Sequence, residues 1–144
     1  MRRLSLLAAA VAAVATAAAM PALAHHSFAA EYDANNQMTV VGTITKVEWT
    51  NPHTWFFVDV KDTQGRTVNW AIEGGAPTVL YREGWKPTSL KAGDVVTVTF
   101  ARAKDASKNQ GNAYLVKLPD GRCVFAGSSG PGGTASDNCT PGRR

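Results

Sequence analysis

Residues that commonly carry catalysis or bind metals are scarce in this chain, which has three histidines and two cysteines among 144 residues. The sequence has no C-x-x-C pair, no H-E-x-x-H metalloprotease motif and no glycine-rich phosphate loop. No serine or cysteine lies in a sequence typical of a strained nucleophile elbow. These absences argue against hydrolytic and group-transfer catalysis, so we expect a protein that is not an enzyme.

Long apolar runs are also absent, except at the N-terminus. There Arg2 and Arg3 precede an alanine-rich segment over residues 4–20, and the small-x-small sequence of residues 22–24 follows it. This order is typical of a cleavable export signal. A retained membrane anchor is the less favoured alternative, because the run is barely long enough to span a bilayer. We predict a signal peptide over residues 1–24, a periplasmic or secreted protein, and no stable membrane insertion after cleavage.

Charge of either sign is modest, and the chain carries a net charge of +4. Removal of the two leader arginines leaves 13 basic and 11 acidic residues, a net charge of +2. So small an excess gives little attraction for a phosphate backbone. We therefore expect no nucleic-acid partner, and the expected partner is a small molecule or a periplasmic protein.

The histidines support a metal hypothesis. Cleavage after residue 24 would make His25 the N-terminus, followed by His26. An N-terminal histidine offers its α-amine and a ring nitrogen to one ion, a chelate that suits copper. His53 would complete the site in place of His26 or together with it. The alternative is a polar arm that merely begins with histidines, since Ser27 occupies the position where the known amino-terminal copper and nickel motif has histidine.

Residues 42–60 predict two strands joined by a turn. In the first strand, Ile44 is the exception to an alternating pattern whose shared face consists of Val41, Thr43, Thr45, Val47 and Trp49. Alternation rich in β-branched residues is typical of a half-buried strand. Asn51-Pro52 ends it, because proline cannot donate to the ladder. The second strand places Phe56, Val58 and Val60 on one face.

The opposite face of that second strand carries Trp55 and Phe57, where solvent is expected. Either an N-terminal arm over residues 25–40 covers these rings, or they form a partner-binding surface. In the second case the ligand-binding residues are Asn51, His53, Trp55 and Phe57, with ring stacking as the main contribution. The alternative role for His53 is a turn residue that hydrogen-bonds a backbone carbonyl.

Three more strands and a short helix are predicted downstream. The apolar positions of these strands are Val68, Trp70 and Ile72, then Val96, Val98 and Phe100, then Tyr114, Val116 and Leu118. Residues 76–83 have helical character, with Pro77 acceptable in the first turn and Gly84 placed as a stop. Glu73, which ends the third strand, is expected to cap this helix or to pair with an arginine.

This order of elements predicts an all-β fold, namely a five-stranded OB-like Greek-key barrel over residues 41–125 with one short helix between strands 3 and 4. An immunoglobulin-like sandwich is the alternative, but it usually needs about seven strands. Residues 122–125 are long enough to add a brief sixth strand.

The chain after residue 125 is predicted to be a flexible tail. Residues 126–144 are rich in Gly, Ser, Pro and Thr and have no apolar period, so they cannot bury enough surface to order themselves. Cys123 and Cys139 are expected to form a disulfide in an exported protein. Thiolate metal ligation is the less favoured alternative in an oxidising compartment.

Several segments together resemble an uncharacterised family of small exported bacterial proteins. These are the leader that ends in ALA, the HHSF start at His25, the W-x-N-P-H turn from Trp49 to His53, and the LKAGD sequence of residues 90–94. The resemblance covers nearly all of the mature chain except the glycine-rich tail. It implies a periplasmic location and no particular chemistry.

Overall fold

The protein is described by a computed structural model over residues 28–127. The chain divides into two compact units, Met1–Ala30 and Glu31–Arg144, and only the last three residues of the first unit are described. The described residues form two short helices and six strands. These are α1 (Phe28–Glu31), β1 (Tyr32–Glu48), β2 (Trp55–Lys61), β3 (Thr67–Glu73), α2 (Pro77–Arg82), β4 (Val95–Ala103), β5 (Gln110–Lys117) and β6 (Cys123–Phe125). The predicted all-β class is confirmed.

Five of the strands close into a ring. The pairing order is β3-β2-β1-β4-β5-β6, and a further pairing joins β3 to β5. That closing pair is parallel, with Ala71 opposite Gln110 and Glu73 opposite Asn112, whereas the other neighbours are antiparallel. The predicted helix between the third and fourth strands is present as α2. The brief sixth strand that the sequence allowed over residues 122–125 is present as β6, which pairs with the end of β5.

The first strand begins earlier than predicted, at Tyr32 rather than Val41. Much of the segment expected to be an arm is therefore a strand that pairs with β4. A bulge between Asp33 and Gln37 interrupts the ladder, and the side-chain oxygen of Asp33 accepts a hydrogen bond from the Asn35 N–H at 3.0 Å. The run of polar residues thus lies in a bulge, where apolar and polar residues do not alternate, so the sequence does not show the start of this strand.

The faces of β1 also differ from the alternation in the sequence. Ile44, the exception in the pattern, is 1% exposed and belongs to the core, whereas Val41 is 62% exposed. A second bulge between Ile44 and Lys46 shifts the register against β2. One inserted residue moves every later side chain to the other face. Val47 therefore packs against the core although it follows exposed residues.

The second and third strands follow the prediction closely. Phe56, Val58 and Ile72 are fully buried, and Trp70 is nearly so. The turn between the strands is stabilised by Asp62, whose carboxylate accepts hydrogen bonds from the Gln64 and Arg66 N–H groups at 2.8 and 2.9 Å. Pairing is regular from Trp55 opposite Glu73 to Lys61 opposite Thr67, so each face of this hairpin is well defined.

The short helix α2 begins with proline in its first turn and is followed by Gly84 at φ +88°. A left-handed backbone favours glycine, which confirms its predicted role as a stop. Leu80 of α2 and Trp85 are buried. The Trp85 ring stacks on Phe56 with a centroid distance of 5.3 Å, and its Nε1 donates to the Phe125 carbonyl at 2.8 Å. These contacts hold α2 and β6 to the same end of the core.

The first residues of the predicted tail belong to the fold. Ala126 is buried, and its N–H donates to the Tyr114 carbonyl at 3.0 Å. Its own carbonyl accepts from the Gly75 N–H at 2.8 Å. Residues 128–144, which include Cys139, lie outside the described part, so the disulfide and the flexible tail stay predictions. Within residues 28–127, neither helix has the length and apolar character needed to cross a bilayer.

Candidate functional site

His53 lies in the loop between β1 and β2, directly after the cis peptide bond Asn51-Pro52. The next residue, Thr54, anchors this loop to the end of β3. Its N–H donates to the Gly75 carbonyl at 3.1 Å, and its carbonyl accepts from the Gly74 N–H at 2.7 Å. The imidazole is 31% exposed, so a rigid backbone presents a half-buried ring to solvent.

The partner of His53 is a buried carboxylate. Glu73, the last residue of β3, is 6% exposed, and its Oε1 contacts Nδ1 of His53. A buried carboxylate requires a hydrogen-bonding or charged partner, because desolvation otherwise destabilises it strongly. The side chain of His53 supplies such a partner on one oxygen atom.

The other oxygen of Glu73 is held by a tyrosine. The Tyr32 hydroxyl donates to Oε2 at 2.5 Å, and Asn112 Nδ2 lies 3.4 Å from the same atom. Gln110 Nε2 in turn donates to the Tyr32 hydroxyl at 2.9 Å. Tyr32 and Asn112 are 3% and 2% exposed. We call these three residues, together with His53 and Glu73, the His53 network.

Sheet topology brings the His53 network together. The parallel pair between β3 and β5 puts Glu73 opposite Asn112 and Ala71 opposite Gln110. Tyr32 is the first residue of β1 and pairs with Ala103 of β4. Residues distant in sequence therefore meet only because the ring closes.

The network fixes the chemistry of the imidazole. The Glu73 carboxylate accepts at Oε2 from Tyr32, and it acts as an acceptor toward His53 as well. The proton in that contact consequently belongs to Nδ1. This leaves Nε2 as the ring nitrogen that can contact a ligand.

Burial raises the pKa of the Tyr32 hydroxyl well above its ordinary value, and the hydrogen bond to Glu73 raises it further. The unfolded chain ionises this tyrosine from about pH 10 upward, whereas the folded chain keeps the proton. We therefore expect the free energy of unfolding to decrease as pH rises above about 10, by up to about 1.4 kcal/mol per pH unit for this group.

Urea denaturation between pH 8 and pH 11 checks this expectation. Tyr32→Phe removes the hydroxyl, so its stability should fall less steeply above pH 10 than that of the wild type. Part of the slope should remain, because burial also raises the pKa of Tyr114. Equal slopes in the wild type and Tyr32→Phe would contradict the assignment.

Two aromatic rings continue the site along β2. Trp55 is directly opposite Glu73 in the ladder, so the two side chains share one face of the sheet. Phe57 lies on the same face, and Lys46 Nζ is 5.5 Å from its ring centroid. Both rings are half-buried rather than fully solvent-facing. Asn51, the remaining predicted ligand-binding residue, is exposed in the loop before His53.

The other predicted metal ligands, His25 and His26, lie outside the described residues. Among residues 28–127, no group of three or more His, Cys, Asp or Glu side chains is arranged to hold a metal ion. A metal at His53 would thus need further ligands from elsewhere.

The prediction for Glu73 was wrong. It contacts His53 and Tyr32, and the N-cap of α2 has no side-chain hydrogen bond. The backbone carbonyl expected as the partner of His53 is replaced by this carboxylate. Sequence reasoning also missed Tyr32, Gln110 and Asn112. The one available signal was a glutamate at the apolar end of a strand, since a buried carboxylate requires polar partners.

Comparison with known proteins adds one match. Residues 11–112 match a family described as "Family of unknown function (DUF6152)". No curated protein and no solved structure matches the chain.

Proposed function

We propose that this chain, which belongs to the family of unknown function DUF6152, is an exported, non-enzymatic binding module with His53 at its binding centre. The observation that carries the proposal is the contact of a half-exposed imidazole with a buried carboxylate. Glu73 and Tyr32 are buried polar residues whose contacts orient one surface histidine. Buried polar groups arranged around a partly exposed histidine are typical of a binding site. No serine or cysteine of the sequence lies in a motif typical of a strained nucleophile elbow, which disfavours covalent catalysis at this histidine.

The position of His53 in the ring agrees with this role. We interpret the ring as an OB-like barrel, because β3 and β5 pair in parallel and α2 lies between β3 and β4. In OB-folds the loop between strands 1 and 2 and the face of strands 2 and 3 bind ligands. His53 belongs to that loop, and Trp55 and Phe57 belong to that face.

Export rests on the N-terminal sequence. Two arginines, an apolar run and a small-x-small site precede His25. We propose that cleavage there releases the protein into the periplasm or the medium, where Cys123 and Cys139 pair. The partner is a small molecule or a periplasmic protein, and the small net charge disfavours nucleic acid.

The two rings of β2 test the proposed surface. Because Trp55 and Phe57 lie on the outer face and are half-buried, we expect Trp55→Ala with Phe57→Ala to lower the free energy of unfolding by only about 1–2 kcal/mol, less than the 3–5 kcal/mol typical of one core aromatic. Urea denaturation measures this loss. Phe56→Ala, in the core on the same strand, is the matched control and should cost more. A loss in the double variant as large as in Phe56→Ala would assign the rings to the fold rather than to a ligand.

Copper is the second candidate ligand, and one specific observation favours it. Histidines that bind metals usually donate their other ring N–H to a carboxylate, as His53 does to Glu73. His25 and His26 would supply the N-terminal amine and further ring nitrogens. The chain from His25 to Tyr32 is seven residues long, and a chain of that length spans up to about 23–25 Å.

Copper titration of the chain that starts at His25, followed by electron paramagnetic resonance of the bound Cu²⁺, tests the second candidate. We expect a nitrogen-rich site with a stoichiometry of one. Binding that is absent, or that involves oxygen ligands alone, would contradict it.

A further inference from the structure

The Glu73 carboxylate is held at both oxygen atoms. Oε1 contacts Nδ1 of His53, while Oε2 accepts from the Tyr32 hydroxyl at 2.5 Å and lies 3.4 Å from Asn112 Nδ2. Since Glu73 and Tyr32 are 6% and 3% exposed, water does not compete effectively for these contacts. The carboxylate therefore has one orientation relative to the imidazole.

We infer that Glu73, itself fixed by Tyr32, is the positioning residue that holds His53 in the Nδ1–H tautomer and so presents an unprotonated Nε2 to a transition-metal cation. This inference rests on the proposed binding function of His53 and names its ligand class. Neutral imidazole has one donor and one acceptor nitrogen, and the partner of one nitrogen decides the state of the other. With Nδ1–H directed at a carboxylate, the lone pair of Nε2 is available for a cation.

The ligand class follows from that lone pair. An unprotonated imidazole nitrogen suits zinc, copper and nickel, whereas hard cations such as magnesium and calcium prefer oxygen. A hydrogen-bonded carboxylate also increases the basicity of the ligating ring and fixes its plane. The half-buried Trp55 lies opposite Glu73 in the ladder.

Tyr32 has a separate role from Glu73. Its hydroxyl donates to the second carboxylate oxygen of Glu73, and Gln110 donates to that hydroxyl at 2.9 Å. Loss of the hydroxyl would free Oε2 and allow the carboxylate to rotate. We expect Tyr32→Phe to weaken the tautomer preference without abolishing it, because Oε1 remains near Nδ1.

Nitrogen-15 NMR of the His53 ring in the metal-free mature chain tests the inference, at a pH where the ring is neutral by its own titration. We expect the wild type to carry its proton on Nδ1. Glu73→Ala should lose that preference. Glu73→Gln should reverse it, because the two donors at Oε2, Tyr32 and Asn112, require the amide oxygen there, and the amide NH2 then faces Nδ1. Glu48→Gln, which removes an exposed carboxylate paired with Lys46 on the neighbouring strand, is the matched control and should match the wild type.

Zn²⁺, a diamagnetic probe, then tests the ligand class in the same samples. Its addition should shift Nε2 of His53 and leave Nδ1 protonated, and Glu73→Ala should lower the Zn²⁺ affinity about 10–100-fold. A wild-type ring protonated on Nε2, or an Nδ1–H tautomer that persists in Glu73→Ala, would overturn the positioning role even if metal binds. If Glu73→Ala fails to fold, the wild-type and Glu73→Gln spectra still decide the tautomer. If the tautomer follows Glu73 but Zn²⁺ leaves the His53 signals unchanged, the positioning role stands and the metal as ligand is overturned.

Discussion

Adding three residues other than histidine before His25 is expected to lower the affinity of the mature chain for Cu²⁺ by roughly 100-fold or more. The extra residues move the α-amine away from the His25 ring, so the two nitrogens no longer form one chelate. Three are needed because a single added residue would place His26 third, where the known amino-terminal copper motif has histidine. Joining two binding groups typically raises affinity 10²–10⁴-fold, and the insertion removes that gain at this position. Competition titration against a copper chelator of known affinity measures the change.

A chain with the same three residues added after Arg144 is the matched control, because it has the same length but an intact His25 amine. It should bind Cu²⁺ as tightly as the mature chain. Equal affinity in the two extended chains would show that the amine is not a ligand. The tautomer of His53 is measured without metal and would be unaffected by that result.

Gly111→Ala is expected to destabilise the protein by about 3 kcal/mol, the upper end of the usual cost of overpacking. A Cβ atom at Gly111 would lie 2.1 Å from the Phe100 ring and 2.9 Å from the Ala101 carbonyl oxygen. Phe100 cannot move away easily, since it is fully buried and its ring centroid is 5.1 Å from that of Trp70. The melting temperature should fall by about 12–24 °C, given roughly 4–8 °C per kcal/mol for a domain of this size.

Gly65→Ala is the control for this prediction. Gly65 has φ +77° and nothing within 4 Å of an added Cβ, so alanine there should cost only about 1–2 kcal/mol of left-handed strain. Adding Phe100→Leu to Gly111→Ala should recover part of the loss, because the smaller side chain makes room. A Gly111→Ala variant as stable as Gly65→Ala would mean that the closing pair of strands does not pack as described.

Local patterns predicted much of the ring. The alternation of Phe56 with Val58, and of Trp70 with Ile72, defines the buried face of β2 and β3 because both strands are regular over their whole length. Gly84 ends α2 for a local reason, its left-handed backbone. Such features depend on neighbours in the chain, so sequence reasoning can recover them.

The first strand could not be predicted in the same way. Its bulges at residues 33–37 and 44–46 change which side chains face the core. From Met38 to Ile44 the alternation is regular, with Val41 exposed and Ile44 buried, but beyond the second bulge Val47 packs against the core. Bulges follow from pairing with two different partners, β2 and β4, and a single-strand pattern contains no record of those partners.

The His53 network was only half predictable. His53 was recognisable as a candidate site residue because it follows Asn51-Pro52 in a turn, but its partner depends on long-range contacts. Glu73 meets Tyr32 across 41 positions in sequence, and Gln110 meets Tyr32 across 78. Only closure of the ring by the parallel β3–β5 pair brings them together. Spacing in the chain therefore gave no information about the network.

Pulsed electron paramagnetic resonance of the Cu²⁺-loaded mature chain, compared with His53→Ala, tests the central role of His53 most directly. We predict that the wild type shows coupling to the remote nitrogen of the His53 imidazole, and that His53→Ala loses this coupling together with about tenfold or more in affinity. An identical spectrum and affinity in His53→Ala would contradict the assignment of His53 as a copper ligand.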